Sequence, residues 1–474
     1  QLLMRRPEIP SDCIIDDQIS NVLIVGLGKS GLSSAKYLTK YKNYSGNSIK
    51  VSIYDKFKPI KDQKKLLYGI EIENFYTGEM IDKFYEGKTH ILLSPGINPK
   101  EIALYLKHCK LINDISLFLE HLTNISHHNS DLRTIGITGT NGKTTTCSLV
   151  EHLFLKAGYR TKLAGNIGIS PLDLIGEINE LDIIILELSS FQLWPFKKQG
   201  FPNKLDVGIF LNFSEDHLDI HSNLLDYFQS KLTLLYSSKR TVVSQSLNKI
   251  PSKFNDISFG KNQARRPSEL NYKFDKIKTK KFIVDDKGFK VSIDCLKLPG
   301  EHNQLNVMAA IASFRCLDDS FEKFEEALAC FKGIPHRLEW VKNINGIDFY
   351  NDSKATNVAS TIAGLESFRK KNIFLIAGGD SKSQPLSPLK KYFEKITINL
   401  LLIGCDAELF MESFKSISFL KITMCNSMKE ALVHAFKQAK KGDIILLSPA
   451  CASYDMYQNY IERGDDFKQL VEAL

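Results

Sequence analysis

Apolar residues in this chain gather into runs of three to six, and nearly every run ends in a loop of glycine, serine, threonine, asparagine or an acid. Asn21–Val25, Val51–Tyr54 and Ile91–Leu93 form one series. Thr134–Thr138, Leu181–Leu186, Val207–Asn212 and Arg240–Ser244 form a second. Ile347–Tyr350, Ile373–Ala377, Ile398–Ile403 and Ile444–Leu447 form a third. Continuous apolar runs of strand length, separated by helix-length stretches, mark parallel strands buried on both faces. That restricts the chain to α/β architectures, with binding loops at the carboxyl ends of the strands.

The 474 residues exceed one hydrophobic core, and the three series predict three domains, 1–125, 126–333 and 334–474. The first reads as a doubly wound α/β domain spanning about 18 to 122, His121–Arg133 reads as a polar linker, and the last series reads as a third set of strands. The central domain reads as a parallel sheet with a small antiparallel addition between about Pro251 and Leu298, where Lys281–Val284 and Lys290–Ile293 alternate. Asn303–Leu317 is apolar at helical spacing, and Lys332–Pro335 reads as a hinge.

The strongest chemical signal is Thr138-Gly139-Thr140-Asn141-Gly142-Lys143-Thr144-Thr145, placed between a strand and a helix. Ile137 stands where the general phosphate-loop pattern has its first glycine. The physics survives that change: backbone N–H groups cradle phosphates, Lys143 neutralises their outer oxygens, and the Thr144 hydroxyl can ligate Mg²⁺. Glu187 closes the next strand, and His217 follows another, with Lys231 beyond it. Carboxylate and imidazole at strand ends beside a phosphate loop suit Mg²⁺, so the chain is expected to spend ATP. Gly26-Leu27-Gly28-Lys29-Ser30-Gly31 with Asp55 on the next strand is a second, weaker phosphate-binding pattern, open to a dinucleotide or another nucleotide. Three polar loops, Asn351–Asn357, Gly378–Lys382 and Ser448–Ser453, follow strands of the third series and predict a shared pocket.

Bulk properties narrow the class. Apolar content of 43% and charged content of 24% are those of a soluble globular protein, and no run reaches the roughly 20 apolar residues of a membrane helix. Nine scattered cysteines without a CxxC pair fit a reducing cytoplasm and argue against both a disulfide framework and a structural zinc site. The net charge of +8 reads first as a Lys-rich solvated surface and second as a field that draws anionic substrates, and no basic segment is interleaved with aromatics as nucleic-acid binding needs.

The phosphate loop, Glu187–Leu193, Asn351–Asn357, Leu446–Asp455, Asn459 and Arg463-Gly464 together resemble the Mur ligases, and among them the D-glutamate-adding members. The resemblance runs from about residue 20 to the end. It implies a Rossmann-like first domain that holds the UDP of a substrate, a central ATPase domain, and a Rossmann-like last domain. It implies cytoplasmic synthesis of a peptidoglycan precursor, with ATP, two Mg²⁺ ions, UDP-N-acetylmuramoyl-L-alanine and D-glutamate as reactants and cofactors, and a monomer that enters no membrane. By motif position it puts Gly28, Lys29, Ser30, Asp55, Ser94, Asn166 and Ser189 on the UDP substrate. It puts Gly139 to Thr145 with Asn303, Asn306, Arg337 and Asp352 on ATP. Lys354, Thr356, Lys382, Ser453 and Tyr460 fall at the D-glutamate end. Thr144, Glu187 and His217 would serve the metal, as would Lys231 as a carbamate, and Lys143, Glu187, His217 and Lys231 would be catalytic.

The chain departs from the family pattern at Ser381 (usually glycine), Tyr454 (a smaller aliphatic) and Tyr460 (usually phenylalanine). Lys56-Phe57-Lys58 lacks the familiar arginine, and the interval from His217 to Lys231 is one residue short. A folylpolyglutamate synthetase-like ligase shares the ATP chemistry but lacks an N-terminal glycine-loop domain. A nicotinamide-dependent oxidoreductase using Gly26–Gly31 is the reading from another class.

Overall fold

The computed structural model describes residues 13–57, 67–95, 97–98, 102, 109–125, 131–197, 200–201, 204–214, 221–254, 256–261 and 268–474. The chain forms two compact units, Gln1–Val291 with Leu305–Glu322, and Ser292–Gln304 with Lys323–Leu474. Among the described residues no helix is long and apolar enough to cross a membrane.

The first unit holds two principal sheets. In the N-terminal one, five parallel strands lie in the order Asn74–Tyr76, Lys50–Tyr54, Asn21–Val25, His90–Leu93, Lys110–Ile112. The strand order reverses at Asn21–Val25, which opens a crevice beyond its carboxyl end. The chain turns there through Gly26, whose φ of 95° is left-handed, and enters the helix Lys29–Lys40. A Cβ on Gly31 would lie 2.1 Å from the Gly26 carbonyl oxygen, whereas one on Gly28 would meet nothing. The third glycine of the motif is thus needed for helix–turn packing, and the second leaves the loop open to solvent.

The larger sheet has nine strands, in the order Thr161–Gly165, Ile183–Glu187, Arg133–Thr138, Leu205–Phe210, Ser238–Ser244, Ile257–Phe259, Leu270–Ile277, Lys280–Asp285, Lys290–Ser292. The first seven are parallel, and the Leu270–Ile277/Lys280–Asp285 hairpin begins the antiparallel part. The expected addition is therefore a continuation of the central sheet. One core joins the two sheets: Ile24, Leu38, Ile53, Ile115 and Phe118 cluster with Leu172, Leu174, Ile178, Leu186 and Leu188. Each such burial is worth about 1.5–3 kcal/mol. The polar stretch beginning at His121 is not all linker. The helix Asp114–Ile125 runs through it, and His121 is buried with its Nδ1 3.2 Å from the Tyr37 hydroxyl.

The second unit is built on six strands ordered Glu339–Ile344, Ile347–Asn351, Ile444–Leu447, Ile373–Gly378, Ile398–Ile403, Lys421–Met424, parallel except for the first. The strands that carry the three polar loops are adjacent, so those loops open on one end of the sheet. A fully buried guanidinium ties two of them. Arg463 Nε donates to Ser353 Oγ, Nη2 to the carbonyls of Ser353 and Cys451, and Nη1 to that of Ala452. Asp352 links the same pair of loops, its Oδ2 accepting from Ser448 Oγ at 2.8 Å and its Oδ1 from Leu338 N. Burial pushes the Asp352 carboxyl up to about 7, against the hydrogen bond from Ser448.

Two stability predictions follow from these contacts. Gly31→Ala is expected to destabilise the first unit by about 2–3 kcal/mol in urea unfolding, whereas Gly28→Ala stays within about 0.5 kcal/mol. Equal effects would refute the packing argument. Asp352 has a raised folded-state pKa, so its contribution is complete below the unfolded value and is lost as pH rises through about 7. Between pH 4 and pH 8 the stability of Asp352→Asn relative to the parent should shift in favour of the variant by up to about 4 kcal/mol. A pH-independent difference would show that the carboxyl titrates normally.

Candidate functional site

The phosphate loop begins where Arg133–Thr138 ends, between its two parallel neighbours. Gly142 caps the helix Lys143–Lys156 with φ 81°. A Cβ there would fall 2.5 Å from Asn306 Oδ1, so Asn306 packs directly on the loop. Asn212 clamps the loop from the next strand end: its Oδ1 accepts from Asn141 N at 2.9 Å, and its Nδ2 donates to Asn141 O at 2.9 Å. Thr140 Oγ1 donates to Ser214 O and accepts from Ser214 N, 3.3 Å from the Tyr227 hydroxyl. Thr144 and Thr145 lie half-buried in the first helical turn.

Two lysines converge on this loop. Lys143 Nζ donates to the carbonyls of Gly139 (2.9 Å) and Thr140 (3.0 Å). Lys231 Nζ, from the helix Leu224–Tyr236, donates to the same Gly139 oxygen at 2.7 Å and lies 4.7 Å from the Tyr227 ring centroid. Lys231 is 1% exposed. Lys231, though carried on a helix, is therefore buried against the loop. Two ammonium groups that share one acceptor oxygen lie close enough to repel each other. The same field attracts a polyphosphate.

Glu187 lies beside the loop, paired in register with Ile137, and Thr138 Oγ1 donates to Leu188 O at 2.8 Å. The Glu187 side chain is buried. Its Oε1 accepts from Asn166 Nδ2 at 3.1 Å, while Oε2 has no hydrogen-bond partner among the described residues. A buried carboxylate oxygen left open beside a phosphate loop and a threonine hydroxyl is the oxygen-rich donor set that Mg²⁺ takes, so these residues fit the metal. Gly165, at φ 107°, brings Asn166 to this place: a Cβ on it would come within 2.4 Å of Glu187 O. His217 lies outside the described residues.

Ser189 caps the short helix Ser190–Leu193 in a reciprocal capping box with Gln192. A neighbouring polar chain carried no clear sequence signal. His221 Nε2 lies 3.0 Å from Ser190 Oγ, and its Nδ1 lies 3.3 Å from Asp226 Oδ2. Burial raises the Asp226 carboxyl, but its pairing with Lys197 and the Ser222 amide holds it below the usual carboxylate range. This chain ties the Ser190 turn to the helix that carries Lys231.

At the glycine loop, Asp55 Oδ2 accepts from Leu27 N at 2.7 Å and Ser94 Oγ donates to Gly26 O at 2.7 Å. Ser30 Oγ donates to Asp114 Oδ2. These side chains shape the loop with their own hydrogen bonds, while Gly28 and Lys29 are exposed.

In the second unit, Lys354 and Lys382 are exposed, each over a tyrosine ring: Lys354 Nζ is 5.5 Å from the Tyr460 centroid and Lys382 Nζ 5.2 Å from that of Tyr454. Both rings are among the departures noted above. Thr356 N bonds to Lys354 O, and Ser453 is buried with its carbonyl held by Tyr457 N. Arg337 is exposed between His336 and Leu338, both in the left-handed region. Asn303 Nδ2 donates to Pro299 O. The Asp352 carboxylate, expected on the nucleotide, is engaged inside its unit by Ser448 and Leu338.

Three family models match along the chain: the Mur ligase MurD-like N-terminal domain over residues 20–112, the Mur ligase middle domain over 137–314, and the Mur ligase glutamate ligase domain over 336–451. The UDP-N-acetylmuramoylalanine–D-glutamate ligase of Prochlorococcus marinus (strain NATL2A) is 35% identical over 473 residues, covering 95% of this chain and 96% of its own. That of Coxiella burnetii (strain Dugway 5J108-111) is 34% identical, covering 96% and 99%. Among solved structures, a UDP-N-acetylmuramoyl-L-alanyl-D-glutamate–2,6-diaminopimelate ligase superposes with a TM-score of 0.58 at 16% identity, over 90% of this chain and 92% of that one. MurF ligase from Thermotoga maritima, in complex with ADP, gives 0.52 at 17% identity, over 98% and 97%. The chain thus belongs to the Mur ligase family, within its UDP-N-acetylmuramoylalanine–D-glutamate ligases.

Proposed function

We infer that this chain is an ATP-dependent amide ligase that joins D-glutamate to UDP-N-acetylmuramoyl-L-alanine, with ADP and phosphate as products. The observation that carries the reading is a phosphate loop gripped by Lys143 beside a buried Glu187 with one open carboxylate oxygen, in a chain about 35% identical to such ligases over nearly its full length. It works as a monomer of three functional parts, 1–125, 126–333 and 334–474.

The substrate's terminal carboxylate attacks the γ-phosphate of ATP, and the bond to the ADP oxygen breaks. Lys143 and the loop amides stabilise charge on the transferring group. Asn306, Asn303, Arg337 and Asp352 belong to the nucleotide side. Thr144, Glu187 and His217, with Lys231 as a carbamate, would hold Mg²⁺, which supplies charge neutralisation on the phosphoryl oxygens. The acyl phosphate so formed has phosphate as a leaving group, which the free carboxylate lacks. The neutral D-glutamate amine adds to the acyl carbon, the tetrahedral intermediate expels phosphate, and the amine proton passes to a base, either His217 or a carboxylate. Lys354 and Lys382 face the two carboxylates of D-glutamate, with the Thr356 and Ser453 hydroxyls and Tyr460 beside them. The glycine loop with Lys29 and Asp55 takes the UDP end, and Asn166 and Ser189 the sugar-peptide end.

The deciding experiment measures ATP-dependent phosphate release with UDP-N-acetylmuramoyl-L-alanine and D-glutamate, L-glutamate, meso-diaminopimelate or no amine. Release with D-glutamate alone is expected, falling by roughly 100- to 1000-fold or more in Lys143→Ala. Release with another amine would reassign the Lys354–Lys382 pocket. Lys231→Ala should lose activity that short-chain carboxylates partly restore, because they replace an anionic ligand that the alanine removes. Absence of rescue would leave Lys231 as a cation on Gly139.

A further inference from the structure

The end of the Lys110–Ile112 strand carries Asn113 and Asp114, both 1% exposed, and neither was singled out by any motif. Asp114 Oδ2 accepts hydrogen bonds from two serines in different parts of the first unit. One is Ser30, in the first turn of the glycine-loop helix; the other is Ser170, whose Oγ lies 3.3 Å away at the end of the loop that begins with Asn166. Oδ1 accepts from Ile115 N at 3.0 Å. Next to it, Asn113 Nδ2 donates to Gln192 O at 2.7 Å, and Gln192 is the capping-box partner of Ser189. Ser33 Oγ adds a parallel tie to Asp173 at 2.8 Å. One strand end thus touches the glycine loop of the N-terminal sheet and both loops of the central sheet that flank Glu187.

A carboxylate buried with hydroxyl and amide partners is costly to bury and is held only where all its partners are in place. That makes it a register device: the two sheets can present their loops together in one arrangement, fixed at Asp114. We propose that Asn113 and Asp114 are positioning residues for the UDP substrate, holding its UDP-binding and sugar-peptide-binding halves at one fixed separation. The proposal rests on the reading that Lys29 and Asp55 serve the UDP end while Asn166 and Ser189 serve the other. Nothing in it requires Asp114 to touch the substrate.

The test compares binding of UDP alone, which needs one half, with binding of UDP-N-acetylmuramoyl-L-alanine, which needs both. Ser170→Ala removes one long hydrogen bond, at 3.3 Å, on the central side. It should weaken the complete substrate by roughly 3- to 10-fold while leaving UDP affinity and the KM values for ATP and D-glutamate within about two-fold. Asp114→Ala should show a larger gap between complete substrate and UDP, with Asp114→Asn, which keeps one acceptor oxygen, in between. Equal losses for UDP and the complete substrate, or unchanged binding of both in a folded Ser170→Ala protein, would overturn the proposal. Should Asp114→Ala fail to fold, the Ser170→Ala comparison decides alone. Failure of the parent protein to turn over the complete substrate with D-glutamate would instead sink the ligase reading, so the two failures are distinguishable.

Discussion

The Gly139 carbonyl oxygen accepts from Lys143 and from Lys231, and the active half of the molecule is organised around that shared acceptor. A single carbonyl oxygen can take two donors, but two ammonium groups brought this close repel unless negative charge lies near. Gly142, left-handed, packs against Asn306, and Asn141 is clamped by Asn212, so the backbone of the loop is held in one shape. A polyphosphate satisfies the requirement directly.

Much of this was legible in the chain because parallel strands buried on both faces read as unbroken apolar runs. Asn21–Val25, Ile183–Glu187, Ile373–Gly378 and Ile444–Leu447 all fall on such runs, and the loops after them carry the motifs. Edge strands were less legible. Thr161–Gly165, Glu339–Ile344 and Lys421–Met424 are partly exposed, mix polar with apolar residues, and have no run to announce them. The antiparallel hairpin was visible through its alternation, but its attachment to the central sheet runs through the short strand Ile257–Phe259, too brief to read.

The side-chain partnerships divide along a similar line. Glu187 and Lys143 could be placed from local motifs because a strand end and a loop define their positions. Asp114 could not, because its serines lie 84 and 56 residues away in sequence and meet it only after two sheets have packed. The Asp352–Ser448 pair spans 96 residues. Sequence position suggested a nucleotide contact for Asp352, whereas burial gives its carboxylate an internal partner first. His221 was hidden for another reason: its partners Ser190 and Asp226 lie 31 and 5 residues away on two different elements, and no motif joins them.

Asp114, Asp352 and Arg463 share one physical design. Each is an ionisable group at least nine-tenths out of solvent, placed at or beside a strand-end loop, with hydroxyls, amides or carbonyls as its hydrogen-bond partners. Apolar residues would stabilise those positions at lower desolvation cost. Apolar packing tolerates small sliding and repacking, however, whereas a buried polar group with several directional partners has one low-energy arrangement. A reaction that brings an acyl phosphate and an amine together needs its loops held to within a fraction of an ångström. The design therefore places polar specificity under the loops and leaves bulk stability to the apolar strands, so a substitution at any of the three leaves buried partners unpaired and disturbs the loops and the fold together.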